Sequence, residues 1–186
     1  SAASDVYKRQ VPVIFTVRPP REGGFFPGTE EERLTILQQA IDSGVSWIDI
    51  ESSIEEKTVE ELMAVAKKKG CKIVYSSHDI NGTPNSEDIA SFVRDNGDKA
   101  DLVKFCSTAH SHLDALQIVD AAIELKGEGV DYSVMAVNSG GDWARIHAPI
   151  LGVSMVYATM SMEHRISDKG LINVRDLRDA WTLLEY

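Results

Sequence analysis

The chain has 186 residues, 19 Lys and Arg against 29 Asp and Glu for a net charge of −10, and two cysteines, Cys71 and Cys106. At 26% charged and 43% hydrophobic residues, its composition is that of a globular domain, which excludes disordered, collagenous and coiled-coil chains. The acidic balance argues against nucleic-acid or anionic-membrane partners, no apolar run reaches the ~20 residues that span a bilayer, and two cysteines without CxxC spacing fit a reducing compartment.

Residues 1–10 (SAASDVYKRQ) have neither strand nor helix periodicity and no apolar centre, so they are not a signal peptide. They read as a non-native leader, of the kind a translated library adapter gives, or as a disordered terminus. From Val11 onward strands and helices alternate. Val11–Val17 (VPVIFTV) is an apolar, β-branched run suited to a buried parallel strand. Thr29 with Glu32 makes a capping box for a helix whose stripe is Leu34, Leu37, Ala40 and Ile41, and Gly44 stops it. Val45–Glu51 is the next strand. Glu55–Lys69 is a helix with Val59, Leu62, Met63 and Ala66 inward, ending in three lysines before Gly70.

Cys71–Ser76 predicts the third strand and Ser86–Asn96 a helix burying Ile89, Phe92 and Val93. Asp101–Phe105 is a strand, followed by a helix over Ser111–Leu125 with Leu113, Leu116, Val119 and Ile123 as its inward stripe. Tyr132–Val137 and Leu151–Tyr157 are the last two strands, and Asn173 caps a closing helix that buries Leu177, Trp181 and Leu184. Strand starts near 11, 45, 71, 101, 131 and 151 have the rhythm of repeated βα units, hence a parallel sheet in one domain. A doubly wound sheet and a barrel both fit that rhythm. The missing G-x-G-x-x-G after the first strand weakens the dinucleotide-binding alternative, and 186 residues is short for a complete eight-unit barrel of about 250.

Catalytic groups of a barrel stand at the C-terminal ends of its strands. The polar residues there are Arg18 and Glu22, then Glu51, then His78 and Asp79, then Lys104, then Arg145. Lys104 lies within an apolar strand, Leu102-Val103-Lys104-Phe105, where desolvation lowers an amine's pKa and prepares it to form an imine with a ketone or aldehyde; the alternative is a lysine snorkelling to solvent. His78 precedes a turn-forming stretch, Asn81-Gly82-Thr83-Pro84, and is either a general acid and base near neutral pH or a structural histidine bonded to a loop carbonyl. Arg18 and Arg145 are candidates for bidentate contacts to a carboxylate or diol, or else surface arginines. His110 and His112 lack a third ligand and read as a solvated helix start, and His147 and His164 have no partner pattern.

Six colinear segments together resemble type I 3-dehydroquinate dehydratase, the Schiff-base-forming enzyme of the shikimate pathway. They are Ile14-Phe15-Thr16-Val17-Arg18 with Arg21-Glu22-Gly23-Gly24; Trp47-Ile48-Asp49-Ile50-Glu51; Ser76-Ser77-His78-Asp79 with Gly82-Thr83-Pro84; Ala100-Asp101-Leu102-Val103-Lys104; Ala144-Arg145-Ile146; and Ser167 to Val174, in the position of the family's closing loop. The resemblance covers residues 11–186. It implies an α/β fold, a (β/α)8 TIM barrel of class I aldolase type with about six of its eight βα units in this chain and the first two strands missing before Val11.

It further implies a lyase (a hydro-lyase) that dehydrates 3-dehydroquinate to 3-dehydroshikimate on the way to chorismate and the aromatic amino acids. Lys104 would form the imine, His78 would move the proton, Glu22 would orient His78, and Arg18, Arg145 and Ser167 would hold the substrate. No metal or organic cofactor is implied, since the lysine is the electron sink. The implied partner is a small anionic substrate, with no nucleic acid or membrane; the chain is either a homodimer or part of a multifunctional shikimate-pathway polypeptide, cytoplasmic, or plastid-borne in a plant-like source. The alternatives are another class I aldolase-like Schiff-base enzyme, and an inactive fragment or non-catalytic derivative. The family's closing loop usually ends in glutamine; here it reads Ser167-Asp168-Lys169-Gly170-Leu171, and Leu171 cannot make that residue's hydrogen bond.

Overall fold

A computed structural model describes residues 11–160 and 171–186. The leader expected over residues 1–10, and Ser167, Asp168 and His164, lie outside the described residues. The order of elements is β1 (Ile14–Phe15), a 3-10 turn (Pro20–Glu22), α1 (Glu30–Asp42), β2 (Trp47–Glu51), α2 (Glu56–Lys69), β3 (Lys72–Asp79), α3 (Ser86–Asn96), β4 (Leu102–Ala109), α4 (His112–Leu125), β5 (Tyr132–Asn138), two single-turn helices α5 (Trp143–Ile146) and α6 (Ala148–Leu151), and α7 (Val174–Leu183). Among the described residues no helix is long and apolar enough to cross a membrane.

The five strands are all parallel and lie in chain order, β1-β2-β3-β4-β5. A doubly wound sheet reverses its order at a switch point, whereas the wall of a βα barrel adds each strand beside the previous one. The sheet therefore has barrel-wall topology. Its two faces differ in chemistry because side chains alternate along each strand. Ile48, Ile50, Ile73 and Tyr75 pack outward into a cluster with Leu37, Ile41, Val59 and Leu62 of α1 and α2. Val103, Phe105, Tyr132, Val134 and Ala136 do the same against α3 and α4. The alternate residues Asp49, Glu51, Ser76, Lys104 and Ser133 face the other way, and all are buried. Strand register aligns Glu51, Ser76, Lys104 and Ser133 across β2 to β5, with His78, Cys106 and Met135 in the next row.

Helix ends follow local chemistry. Thr29 and Ser111 each form the capping box, with Glu32 and Asp114 reciprocating, and Asn85 and Asn173 cap α3 and α7. Gly70 closes α2 in the left-handed conformation behind the three lysines. β3 and β4 run longer than expected, so His78 lies on β3 itself and not beyond it.

Four expectations change. The buried strand expected over Val11–Val17 is paired only at Ile14 and Phe15, against β2 at the edge of the described sheet, and Val11 and Val13 are exposed. The strand expected over Leu151–Tyr157 starts as helix α6, and the extended chain after it runs beside β5 with one backbone bond, from the Ser154 amide to the Tyr132 carbonyl at 2.9 Å, and otherwise through serines: the amide of Tyr132 is met by Ser154 Oγ at 3.3 Å, and the carbonyl of Met155 by Ser133 Oγ at 2.6 Å. On α4 the leucines Leu113 and Leu116 and Ile123 are exposed, while Ala115, Ile118, Ala121, Ala122 and Leu125 are buried. The small alanines face inward because α4 lies close against α3 and β5, and a leucine stripe would not fit there. At the end of α7, Leu177 is buried, but Leu184 is 41% exposed.

Ile118→Ala is expected to lower unfolding free energy by about 2–5 kcal/mol, and Leu113→Ala to leave it within about 0.5 kcal/mol, in urea titrations of the two variants. Equal losses would contradict the packed face assigned to α4.

Candidate active site

The site is built on the polar face of the sheet, at the C-terminal ends of β1 to β4. Its charged core starts from Arg18, just after β1. Arg18 Nη2 donates to Asp49 Oδ2 at 2.6 Å, and Nη1 donates to Glu51 Oε1 at 2.9 Å and to Ser76 Oγ at 3.0 Å. Arg33, on α1 and 1% exposed, reaches under the sheet edge to donate to Glu51 Oε2 at 2.6 Å and to the Val17 carbonyl at 3.1 Å. Ser76 Oγ donates to Asp49 Oδ1 at 2.5 Å. Burial works against the Asp49 carboxylate, but the Arg18 guanidinium, Lys104 and Ser76 together hold its pKa below the usual range. Glu51 goes the other way: burial and the neighbouring Asp49 push its carboxyl above the usual range, against the pull of Arg18 and Arg33.

The Glu22-Gly23-Gly24 turn serves this cluster in three ways. Glu22, 6% exposed, points back into the site, where Oε2 meets His78 Nδ1 at 2.9 Å and Oε1 accepts from Ser53 Oγ. Gly23 ends the 3-10 turn at φ 77, a left-handed conformation that favours glycine. Gly24 passes so near β1 that a Cβ there would lie 2.0 Å from the carbonyl oxygen of Arg18. The two glycines are what allow one turn to deliver Glu22 while Arg18 stays on Asp49 and Glu51.

His78 is 12% exposed at its side chain. Burial, opposed by the Glu22 hydrogen bond and reinforced by Lys104 and Arg18, lowers its pKa to about 4. Glu22 stays ionised: burial raises its pKa, but hydrogen bonds from His78 and Ser53 hold it below the ordinary value. At neutral pH the pair is a carboxylate accepting Nδ1–H from a neutral imidazole, which leaves Nε2 as an acceptor.

Lys104 lies in the row below His78, 7% exposed. Burial lowers its pKa, with Asp49 opposing and Arg18 adding to the shift. Among the described residues no carboxylate lies within 4.0 Å of its ammonium, which stands 4.3 Å from the centre of the Tyr157 ring. Above this floor opens a cavity of about 480 Å³ lined by Arg18, Glu22, His78 and Cys106 on its polar side and by Val17, Phe26, Val137 and Leu171 on its apolar side. Lys104 does not line the open cavity; it sits beneath Cys106, its neighbour two residues on along the same face of β4.

Of the six residues singled out from the sequence, four converge here: Arg18, Glu22, His78 and Lys104. Arg145 is buried elsewhere than expected for an open carboxylate ligand. Its Nη1 donates to the carbonyls of Ala136 and Gly141 at 2.8 and 2.7 Å, and its Nε to that of Tyr157 at 3.0 Å, so it ties the chain after α6 to the end of β5. Ser167 lies outside the described residues. His110 and His112 stand at the start of α4, one bonded to the Asn81 carbonyl and the other packed on the Trp143 ring. Among the described residues no group of three or more His, Cys, Asp or Glu side chains is arranged to hold a metal. Asp49, Ser76, Arg33 and Tyr157 are the site residues that were not singled out. Asp49 had a signal, since Asp49 and Glu51 occupy alternate positions of an otherwise apolar strand and so share a face.

Fold and site together define a parallel βα barrel-type protein with a desolvated lysine and a neutral, carboxylate-held histidine on the inner face of its sheet. The family model for type I 3-dehydroquinase matches residues 2–186, and the chain belongs to that family. The 3-dehydroquinate dehydratase of Methanocaldococcus jannaschii is 29% identical over 176 residues, covering 94% of this chain and 77% of its own length. A crystal structure of the type I 3-dehydroquinate dehydratase of Clostridium difficile with covalently modified comenic acid superposes with a TM-score of 0.86 at 25% identity, covering 98% of this chain and 72% of that one. The dehydroquinate dehydratase and shikimate dehydrogenase of S. pombe shares the fold, with a TM-score of 0.80 at 22% identity, over 99% of this chain and 35% of that one.

Two measurements check this geometry. The folded pKa of His78 lies below its unfolded value of about 6.5, so its contribution to stability is complete above pH 6.5 and is lost as pH falls toward 4. At about pH 5.5 that loss is on the order of 1.4 kcal/mol, and His78→Gln is expected to remove it from the difference between urea unfolding at about pH 7.5 and at about pH 5.5. Gly24→Ala is expected to destabilise the fold by about 1–3 kcal/mol, because the added methyl meets backbone and not a flexible side chain. An unchanged unfolding midpoint would contradict the close approach to Arg18.

Proposed function

We propose that this chain dehydrates 3-dehydroquinate to 3-dehydroshikimate through a Schiff base on Lys104. The observation that carries the reading is the conjunction, on one sheet face, of an amine whose charge is suppressed by burial and an imidazole kept neutral against a buried carboxylate. Both groups are shifted toward their uncharged forms, and both shifts favour the same chemistry.

The reaction runs as follows. The free amine of Lys104 attacks the ring ketone, one proton is taken up from solvent and water leaves, giving an iminium; the final hydrolysis returns that proton. The iminium draws electrons from the adjacent C–H bond, whose proton passes to Nε2 of His78 while Nδ1–H stays on Glu22. The imidazolium formed is stabilised by Glu22 and returns the proton to the departing hydroxyl, which leaves as water as the enamine electrons reform the iminium. Hydrolysis then releases the enone and regenerates the amine. Arg18, with two nitrogens already committed to Asp49 and Glu51, presents the edge of a fixed positive group to the cavity, which suits an anionic, hydroxyl-bearing substrate in an acidic protein. The cavity wall at Leu171 is apolar, and carboxylate binding therefore rests on the other groups, with Arg145 and Ser167 as its further proposed holders. The same unit fits within a multifunctional shikimate-pathway polypeptide or a homodimer.

Borohydride reduction in the presence of 3-dehydroquinate is expected to leave a covalent adduct on Lys104, located by peptide mass mapping, and none in Lys104→Met, which loses turnover. His78→Ala is expected to keep the adduct and lose about 10²–10⁴-fold in turnover. Adduct with simple aldehydes alone would indicate another Schiff-base chemistry, and no adduct in the folded protein would indicate a non-catalytic derivative.

A further inference from the structure

Tyr157 stands in the site without a part in the chemistry described so far. Its ring centre lies 4.3 Å from Lys104 Nζ. Its hydroxyl is buried and has no hydrogen-bond partner among the described residues, although buried tyrosine hydroxyls ordinarily find one. The Tyr132 hydroxyl of this same chain, by contrast, is held between the carbonyls of Ala122 and Leu151. Burial and the nearby Asp49 carboxylate push the Tyr157 phenol well above its ordinary value, with Arg18 opposing, so the group is a neutral donor at any working pH and faces the charged interior.

The position is fixed from behind. Arg145 holds the Tyr157 carbonyl at 3.0 Å while its other nitrogen grips the end of β5 through Ala136 and Gly141. The ring face that meets Nζ and the buried hydroxyl at the ring's edge therefore bound the same interior space. We propose that Tyr157 is a further residue of the substrate site, its hydroxyl donating a hydrogen bond to the carbonyl oxygen of the substrate at the carbon that Lys104 attacks. In that step the amine nitrogen forms a bond to carbon, the carbonyl π pair moves onto oxygen, and the proton released from nitrogen ends on that oxygen to give the carbinolamine. Tyr157 keeps its own proton throughout and stabilises the charge that gathers on oxygen. Arg145 then acts as a positioning residue, through the backbone of Tyr157.

The proposal rests on Lys104 being the imine-forming lysine, and the test separates the two. The full chain and its Tyr157→Phe variant, which lacks one oxygen atom, are mixed with 3-dehydroquinate and quenched with borohydride at successive times. The wild-type protein is expected to form the Lys104 adduct at least ten times faster than Tyr157→Phe. Because the variant removes a hydroxyl that has no partner among the described residues, its thermal unfolding midpoint is expected to equal or exceed that of the wild type, which a purely structural hydroxyl would not give. Equal rates of adduct formation overturn the proposal and leave Lys104 in its role. A lowered midpoint also overturns it, since the hydroxyl would then be bonded within the free protein. No adduct on the wild-type protein overturns the reading of Lys104 itself.

Discussion

The buried ion cluster of Arg18, Asp49, Glu51 and Arg33 is the constraint on which the rest of the site depends. Arg18 lies 2.6 Å from Asp49 and 2.9 Å from Glu51, and Arg33 reaches Glu51 from α1 at 2.6 Å. Charges taken out of water at this depth are tolerable only in pairs, and removing one partner leaves the other uncompensated, at a cost of about 3–5 kcal/mol. The cluster also joins distant parts of the chain, since Arg18 follows β1, Arg33 belongs to α1, and both carboxylates belong to β2. It is a poor means of adding stability and an effective means of fixing geometry, because guanidinium forks accept few orientations.

That fixed field sets the two titrating groups above it. Arg18 and Lys104 both disfavour a proton on His78, and burial disfavours it further, so the imidazole is neutral. Arg18 likewise disfavours a proton on Lys104, while Asp49 limits the effect. Burial and Arg18 thus work against a proton on both groups, and Glu22 fixes which nitrogen of the His78 ring carries its proton. The turn glycines belong to the same device. Gly23 supplies a left-handed residue and Gly24 the absence of a Cβ against Arg18, without which Glu22 and Arg18 could not occupy the same turn.

Much of this was legible in the chain. The capping box at Thr29, the lysine run before Gly70 and the apolar stripes of α1 and α2 are local signals, readable because they rest on spacing along a single helix. The stripe of α4 was misread because its leucines lie at helical spacing on the solvent side, while the buried side uses alanines that only a close helix–helix approach explains. The segment after α6 was misread as a regular strand because its apolar residues fit one, whereas beside β5 it makes a single backbone bond and side chains of Ser133 and Ser154 supply the others. Arg145 illustrates the same limit: an arginine near a strand end suits an anion, and its burial among three carbonyls depends on loops brought together from separate places.

By itself the sequence determined the alternation of βα units and the ends of the longer helices, and it singled out Lys104 and His78 as candidates, because an amine within an apolar strand and a histidine at a strand end are local facts. Only the tertiary structure decided that the strands add in chain order, that Asp49, Glu51, Ser76, His78 and Lys104 share one face, and that Arg33 from a helix closes the charge balance. The reason is register. Which strands are neighbours, and in what alignment, is set by packing between helices tens of residues apart, and the electrostatics of the site exist only once that alignment brings the charges within contact distance.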